Sequence, residues 1–114
     1  MNAKNKIVLK KVIRYAYEIQ ETIKRFELDQ EKFEQDFVAR NAISMCILQI
    51  GELSKNLTEN FRLEHAQIPW KNIIGMRNRA AHKYGEMDKS LIWHVASVNI
   101  PELKSYLEVI LEQG

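Results

Sequence analysis

The sequence predicts an all-α fold: a four- to five-helix up-and-down bundle, folded as one domain over residues 1–114. Three observations carry that prediction. The chain has only four Gly and two Pro, few breaks for its length. Apolar residues recur at helical spacing in several segments, and alternating strand patterns are absent. Hydrophobic residues make up 46% and charged residues 28%, the balance of a folded chain rather than a disordered one. A domain of 114 residues can bury a core without disulfide or metal staples.

The first helix is expected over about Lys6 to Phe26. There Leu9, Val12, Ile13, Ala16, Ile19, Ile23 and Phe26 form one apolar stripe. Leu28 and Asp29 read as a connection, followed by a short helical turn. A second long helix is expected from about Gln35 to Asn60, with Asp36 or Asp29 as its N-cap. Its middle, Ala42 to Ile50, is apolar nearly all round. Such a helix is buried on more than one side, either wholly within its own domain or partly against a second subunit. Gly51 weakens it by about 1 kcal/mol relative to Ala and admits close approach of a helix or ligand. Glu52 is either an ordinary surface carboxylate or the partner of a cation elsewhere.

Arg62 to Ile68 read as a loop. Pro69 suits the first position of a third helix, where its missing N–H does no harm. Trp70, Ile73, Ile74 and Met76 give that helix an apolar side, and Gly85 is its expected stop. Asp88 is the expected cap of a fourth helix containing Leu91, Ile92, Trp93, Val95 and Val98. Pro101 starts a fifth, with Leu103, Tyr106, Leu107, Ile110 and Leu111 on its buried side. The bundle follows from these helices.

The formal net charge is +2, but its distribution says more. No acidic residue falls between Glu64 and Glu86, and that stretch holds Lys71, Arg77, Arg79 and Lys83. A mildly acidic body thus carries a basic segment, which suits a phosphate-bearing partner or is simply a solvated face. The single cysteine, Cys46, lies in an apolar run and excludes an intramolecular disulfide and a cysteine-based zinc site. No signal-peptide pattern and no apolar run of membrane-spanning length occurs, so a cytoplasmic protein is expected. His65 and His94 have no Cys, His or Asp at metal-ligand spacing. No metal site and no cofactor is expected. A Gly-rich phosphate loop and a Gly-x-Ser-x-Gly elbow are both absent.

The chemistry therefore concentrates in Arg77-Asn78-Arg79-Ala80-Ala81-His82-Lys83-Tyr84. On a helix Arg77 and Tyr84 share a face, as do Asn78 and His82, but Arg77 and His82 diverge by about 140°. Either the helix ends before His82, or the working site combines two copies of the chain. Arg and His side chains in one cleft suit metal-free cleavage of RNA. Imidazole exchanges protons near neutral pH, and guanidinium offers a planar fork of donors to phosphate. Asn78 can hold the imidazole tautomer, Arg79 and Lys83 can bind flanking phosphates, and Tyr84 can stack on a base. An Arg and a His at this spacing also arise by chance.

Ile68-Pro69-Trp70, then Ile73-Ile74-Gly75-Met76-Arg77-Asn78, then His82-Lys83-Tyr84 resemble the HepT-like family of HEPN-domain toxins, whose motif is Arg-x-x-x-x-His-x-Tyr. The resemblance extends to Ile50-Gly51-Glu52, Asp88, Trp93 and Pro101-Glu102-Leu103, and covers about Ile43 to Leu111. It implies a homodimeric helical bundle with the motifs of both protomers in a shared cleft. It implies a metal-independent endoribonuclease in which Arg77 and His82 are catalytic. It also implies a cognate MntA-like nucleotidyltransferase antitoxin that transfers AMP from ATP onto Tyr84. A different reading is a non-catalytic helical subunit that presents nucleotide or substrate to a nucleotidyltransferase; a third is a dimeric scaffold with a solvated basic face.

Overall fold

A computed structural model describes the backbone of residues 1–82 and 89–113 and the side chains of residues 1–76 and 89–113. Every regular element among them is helical: α1 (Ala3–Arg25), α2 (Gln30–Gln35), α3 (Phe37–Ser54), α4 (Glu59–Glu64), α5 (Trp70–His82), α6 (Lys89–His94) and α7 (Ile100–Gln113). A π-helical turn, Val95–Asn99, joins α6 to α7. The all-α expectation holds. None of the described helices is long and apolar enough to cross a membrane.

The first helix forms as its pattern dictates. Asn2 accepts the Asn5 N–H at 2.7 Å, capping α1, and Val8, Leu9, Val12, Ala16 and Ile19 are buried along one stripe. Its end is set by backbone geometry. Leu28 N–H reaches back to Ile23 O at 2.9 Å and Glu27 N–H to Lys24 O at 3.2 Å. Glu27 sits at φ 50°. These are the paired bonds of a Schellman cap, with Glu27 where glycine is usual. Asp29 then caps α2, and Phe33 is fully buried against Trp93, ring centroids 5.4 Å apart. Asp36 accepts from Val38 and Ala39 N–H at 3.0 and 3.1 Å and caps α3.

Three boundaries differ from the sequence reading. The second long helix stops at Ser54 rather than running to Asn60. Asn5, buried on α1, trades two hydrogen bonds with Thr58: its amide donates to Thr58 Oγ1 at 3.0 Å and its Oδ1 accepts the Thr58 N–H at 3.1 Å. That pair holds Thr58 in extended backbone, where it caps a new helix, α4. The stretch expected as a loop from Arg62 is consequently helical to Glu64. Third, the expected fourth and fifth helices are one run. Pro101 has no N–H to donate, and the helix continues into it by widening: Ile100 N–H bonds Val95 O, five residues back. The expected cap Asp88 and stop Gly85 lie outside the described residues.

The long helices α1, α3, α5 and α7 make the bundle. α3 packs along both α1 and α5, and α7 packs on α1. The Asn5–Thr58 pair sets the start of α1 beside the end of α3, so these two run antiparallel. α3 passes unbroken through Gly51, which is buried. Its central apolar run divides. Ile43, Ile47 and Ile50 are in the core, while Val38, Ala42 and Met45 recur along an exposed side with Phe37 beside them.

Candidate functional site

The site rests on how α5 is placed. Pro69 O accepts from Asn72 and Ile73 N–H, opening the helix, and Trp70 is buried with its indole N–H on His65 O at 3.1 Å. Phe61 lies against both His65 and Trp70. His65 is thus half-buried between Phe61 and Tyr106 rather than in an open loop. This aromatic group pins the first turn of α5, and Met76 buries the second turn in the core.

The helix then continues without a break through His82, carrying Arg77, Asn78 and Arg79 in its C-terminal half. An end before His82 is therefore excluded. Position 77 follows the buried Trp70 by seven residues and so shares its side of the helix; position 82 follows Gly75 by seven. Lys83 and Tyr84 lie outside the described residues. Glu52 is half-buried on α3, the helix along which α5 packs.

A groove of about 690 Å³ runs beside the first half of α5. Ile47 and Ile50 of α3 and Leu103 of α7 make it apolar, and Lys71, Asn72 and Tyr106 add polar groups. Gly75 lines it, and a Cβ placed there would meet nothing within 4 Å. The sequence reading missed this groove, because it forms between helices distant in the chain and leaves no periodic signal. Cys46 is half-buried, and its thiol is pushed up to about 11, first by burial and then by the Glu18 carboxylate. A protonated thiol there is inert, as its apolar setting predicts.

The body outside the basic segment is not evenly acidic. Residues 1–17 carry Lys4, Lys6, Lys10, Lys11 and Arg14 and no carboxylate, which summing over the whole body concealed.

The structure is a helical bundle whose well-anchored α5 carries an Arg-x-x-x-x-His run, and the comparisons with known proteins place that bundle in the class of HEPN-type helical domains. The HepT-like ribonuclease model matches residues 13–110, and the chain belongs to that family. The chain is 37% identical over 83 residues to "Putative RNase TTE0752" of Caldanaerobacter subterraneus subsp. tengcongensis, covering 73% of this chain and 74% of that protein. It is 30% identical over 99 residues to "Probable ribonuclease HepT" of Thermococcus cleftensis, covering 82% and 90%. A third relative, "Putative RNase MJ1380" of Methanocaldococcus jannaschii, is 30% identical over 84 residues, covering 74% and 77%. No solved structure matches the chain.

Proposed function

We propose that this chain is a metal-independent endoribonuclease, the cytoplasmic toxin of a bacterial toxin–antitoxin pair, with Arg77 and His82 as its catalytic residues. The observation that carries the reading is the ribonuclease-family match, which spans the whole Arg77 to Tyr84 run. One His82 takes the proton of a ribose 2′-hydroxyl. The 2′-oxygen bonds to phosphorus, the bond from phosphorus to the 5′-oxygen breaks, and the leaving oxygen takes a proton from the His82 of a second copy. The products are a 2′,3′-cyclic phosphate and a 5′-hydroxyl. Arg77 donates to the phosphate oxygens as charge gathers on them. Asn78 and Glu52 support the site, and Arg79 and Lys83 hold neighbouring phosphates.

Two observations favour a homodimer with a shared cleft. An unbroken helix sets positions 77 and 82 about 140° apart, which favours a site assembled from two copies. The exposed strip of Phe37, Val38 and Met45 on α3 is the kind of apolar face a second copy covers. The same reading gives regulation: an MntA-like nucleotidyltransferase joins the Tyr84 oxygen to the α-phosphorus of ATP and releases pyrophosphate. The added nucleotide then fills the cationic cleft with bulk and like charge.

His82→Ala and Arg77→Ala should each abolish growth inhibition and RNA cleavage while the helical circular dichroism is unchanged. A fully toxic His82→Ala would overturn the mechanism. Purified protein that cleaves no RNA, yet binds ATP together with its partner, would favour the nucleotide-presenting subunit instead. Intact mass after co-expression with the nucleotidyltransferase reads the regulation, as a gain of whole AMP units on Tyr84.

A further inference from the structure

We infer that the outer face of α1 is a second RNA-binding surface, separate from the motif on α5, which grips the phosphate backbone of a long substrate. The inference rests on the ribonuclease reading and extends it to the substrate: an RNA long enough to reach beyond the cleft.

The face is built by register. The buried residues Val8, Leu9, Val12, Ala16 and Ile19 form one stripe of α1. Lys4, Lys6, Lys10, Lys11 and Arg14 are all exposed and fall within an arc of about 160° on the opposite side. Lys6, Lys10 and Arg14 step along the axis by about 6 Å each, and the whole group spans about 15 Å. No acidic residue interrupts it before Glu18, which meets the Arg14 guanidinium at 3.1 Å. The Arg14 guanidinium also lies 5.1 Å from the centre of the Tyr17 ring, and Tyr17 is 42% exposed. A row of cations ending in an exposed aromatic is the pattern that binds an RNA strand through its phosphates and stacks a base.

Helix stability does not explain the placement. Lys4 and Lys6 lie in the first turn of α1, where the helix dipole is positive and disfavours cations, and that turn contains no acidic residue. Nor do they serve the α5 site directly. α1 and α5 each pack along α3, and the cationic face is the one α1 turns away from its neighbours. Binding there and cleavage at α5 are joined only by an RNA that spans both.

The test replaces Lys6, Lys10 and Arg14 by Gln in the full chain. A control replaces the exposed Lys24, Lys32 and Lys55 by Gln, removing the same charge elsewhere. Binding to a long mixed-sequence RNA with 2′-O-methyl sugars, which cannot be cleaved, is measured against salt. The first variant should bind about tenfold more weakly, with a salt slope reduced by about two, and the control should lose little. Cleavage of a trinucleotide should be equal in all three proteins. Equal losses in both variants would mean only bulk charge and would overturn the proposal. So would unchanged RNA binding, whether or not the variant loses attachment to an acidic protein partner or to anionic vesicles. An independent reading needs no variant: RNA should shield Lys4, Lys6, Lys10 and Lys11 from an amine-reactive reagent, and full reactivity in the complex would equally sink the idea. Binding is read without catalysis, so a protein that binds this RNA through α1 but cleaves none would refute the ribonuclease reading alone.

Discussion

Glu27 is the one described non-glycine residue with positive φ, and its strain is local. A side chain in the left-handed region costs about 1–2 kcal/mol. Glu27→Gly relieves that strain but loosens the unfolded chain, so a net gain of about 1 kcal/mol is expected, or roughly 4–8 °C in melting temperature. A lowered melting temperature would show that Glu27 makes a contact outweighing the strain. Cys46 offers a second measurement. Its thiol, held near 11 by burial and by Glu18, stays protonated at neutral pH, since a raised pKa favours the neutral acid. Alkylation should be slow at pH 8 and keep accelerating beyond pH 10, whereas the ordinary thiol, with a value of 9.0, levels off earlier. A plateau near pH 9 would contradict it. At this scale the sequence was readable wherever a residue acts on its own turn. Asp36 was named among the possible caps of the second long helix, and Asp29, offered for that same helix, caps the turn before it. The αL position of Glu27 was not legible, because nothing in a glutamate announces it.

At the scale of the element, α5 carries the argument. Gly75 lies inside this helix with open space where its Cβ would stand. Gly75→Ala should therefore stabilise the fold by about 1 kcal/mol, the helix-propensity difference, read by thermal or denaturant unfolding. A destabilised variant would mean that something not seen in one copy, a second protomer, packs against this position. The elements also show where periodicity misleads. The sequence from Lys55 to Asn60 contains no Gly or Pro to stop a helix expected to run to Asn60, yet a reciprocal hydrogen-bonded pair from a residue 53 positions away ends it. Pro101 reads locally as a start, and it is a start only in the sense that the helix must widen to pass it.

For the whole molecule, the decisive question is how many chains make one site. If one His82 acts as base and the other as acid, a dimer needs both. An equal mixture of wild-type protein and His82→Ala, with the subunits allowed to exchange, should show about one quarter of the activity of the same total amount of wild-type protein, the fraction of fully wild-type dimers. About one half would mean that each protomer works alone. The prediction joins two levels of structure. Continuity of α5 through His82 is a property of one chain, and the shared cleft is the proposal about the assembly that this measurement tests.

The sequence by itself determined that the chain is helical, where its long apolar stripes run, and which eight residues are the candidates for the chemistry. Each of these depends on neighbours within a turn or two, or on residue types in a fixed order. The tertiary structure alone decided that α3 ends at Ser54, that two helices are one, that His65 is packed among aromatics, and that a groove opens along Gly75. These features arise where segments far apart in the chain meet, and no local pattern encodes such a meeting. The five cations of α1 stand between the two cases. They were always legible as residues, but only the burial of the opposite stripe shows that they form one face.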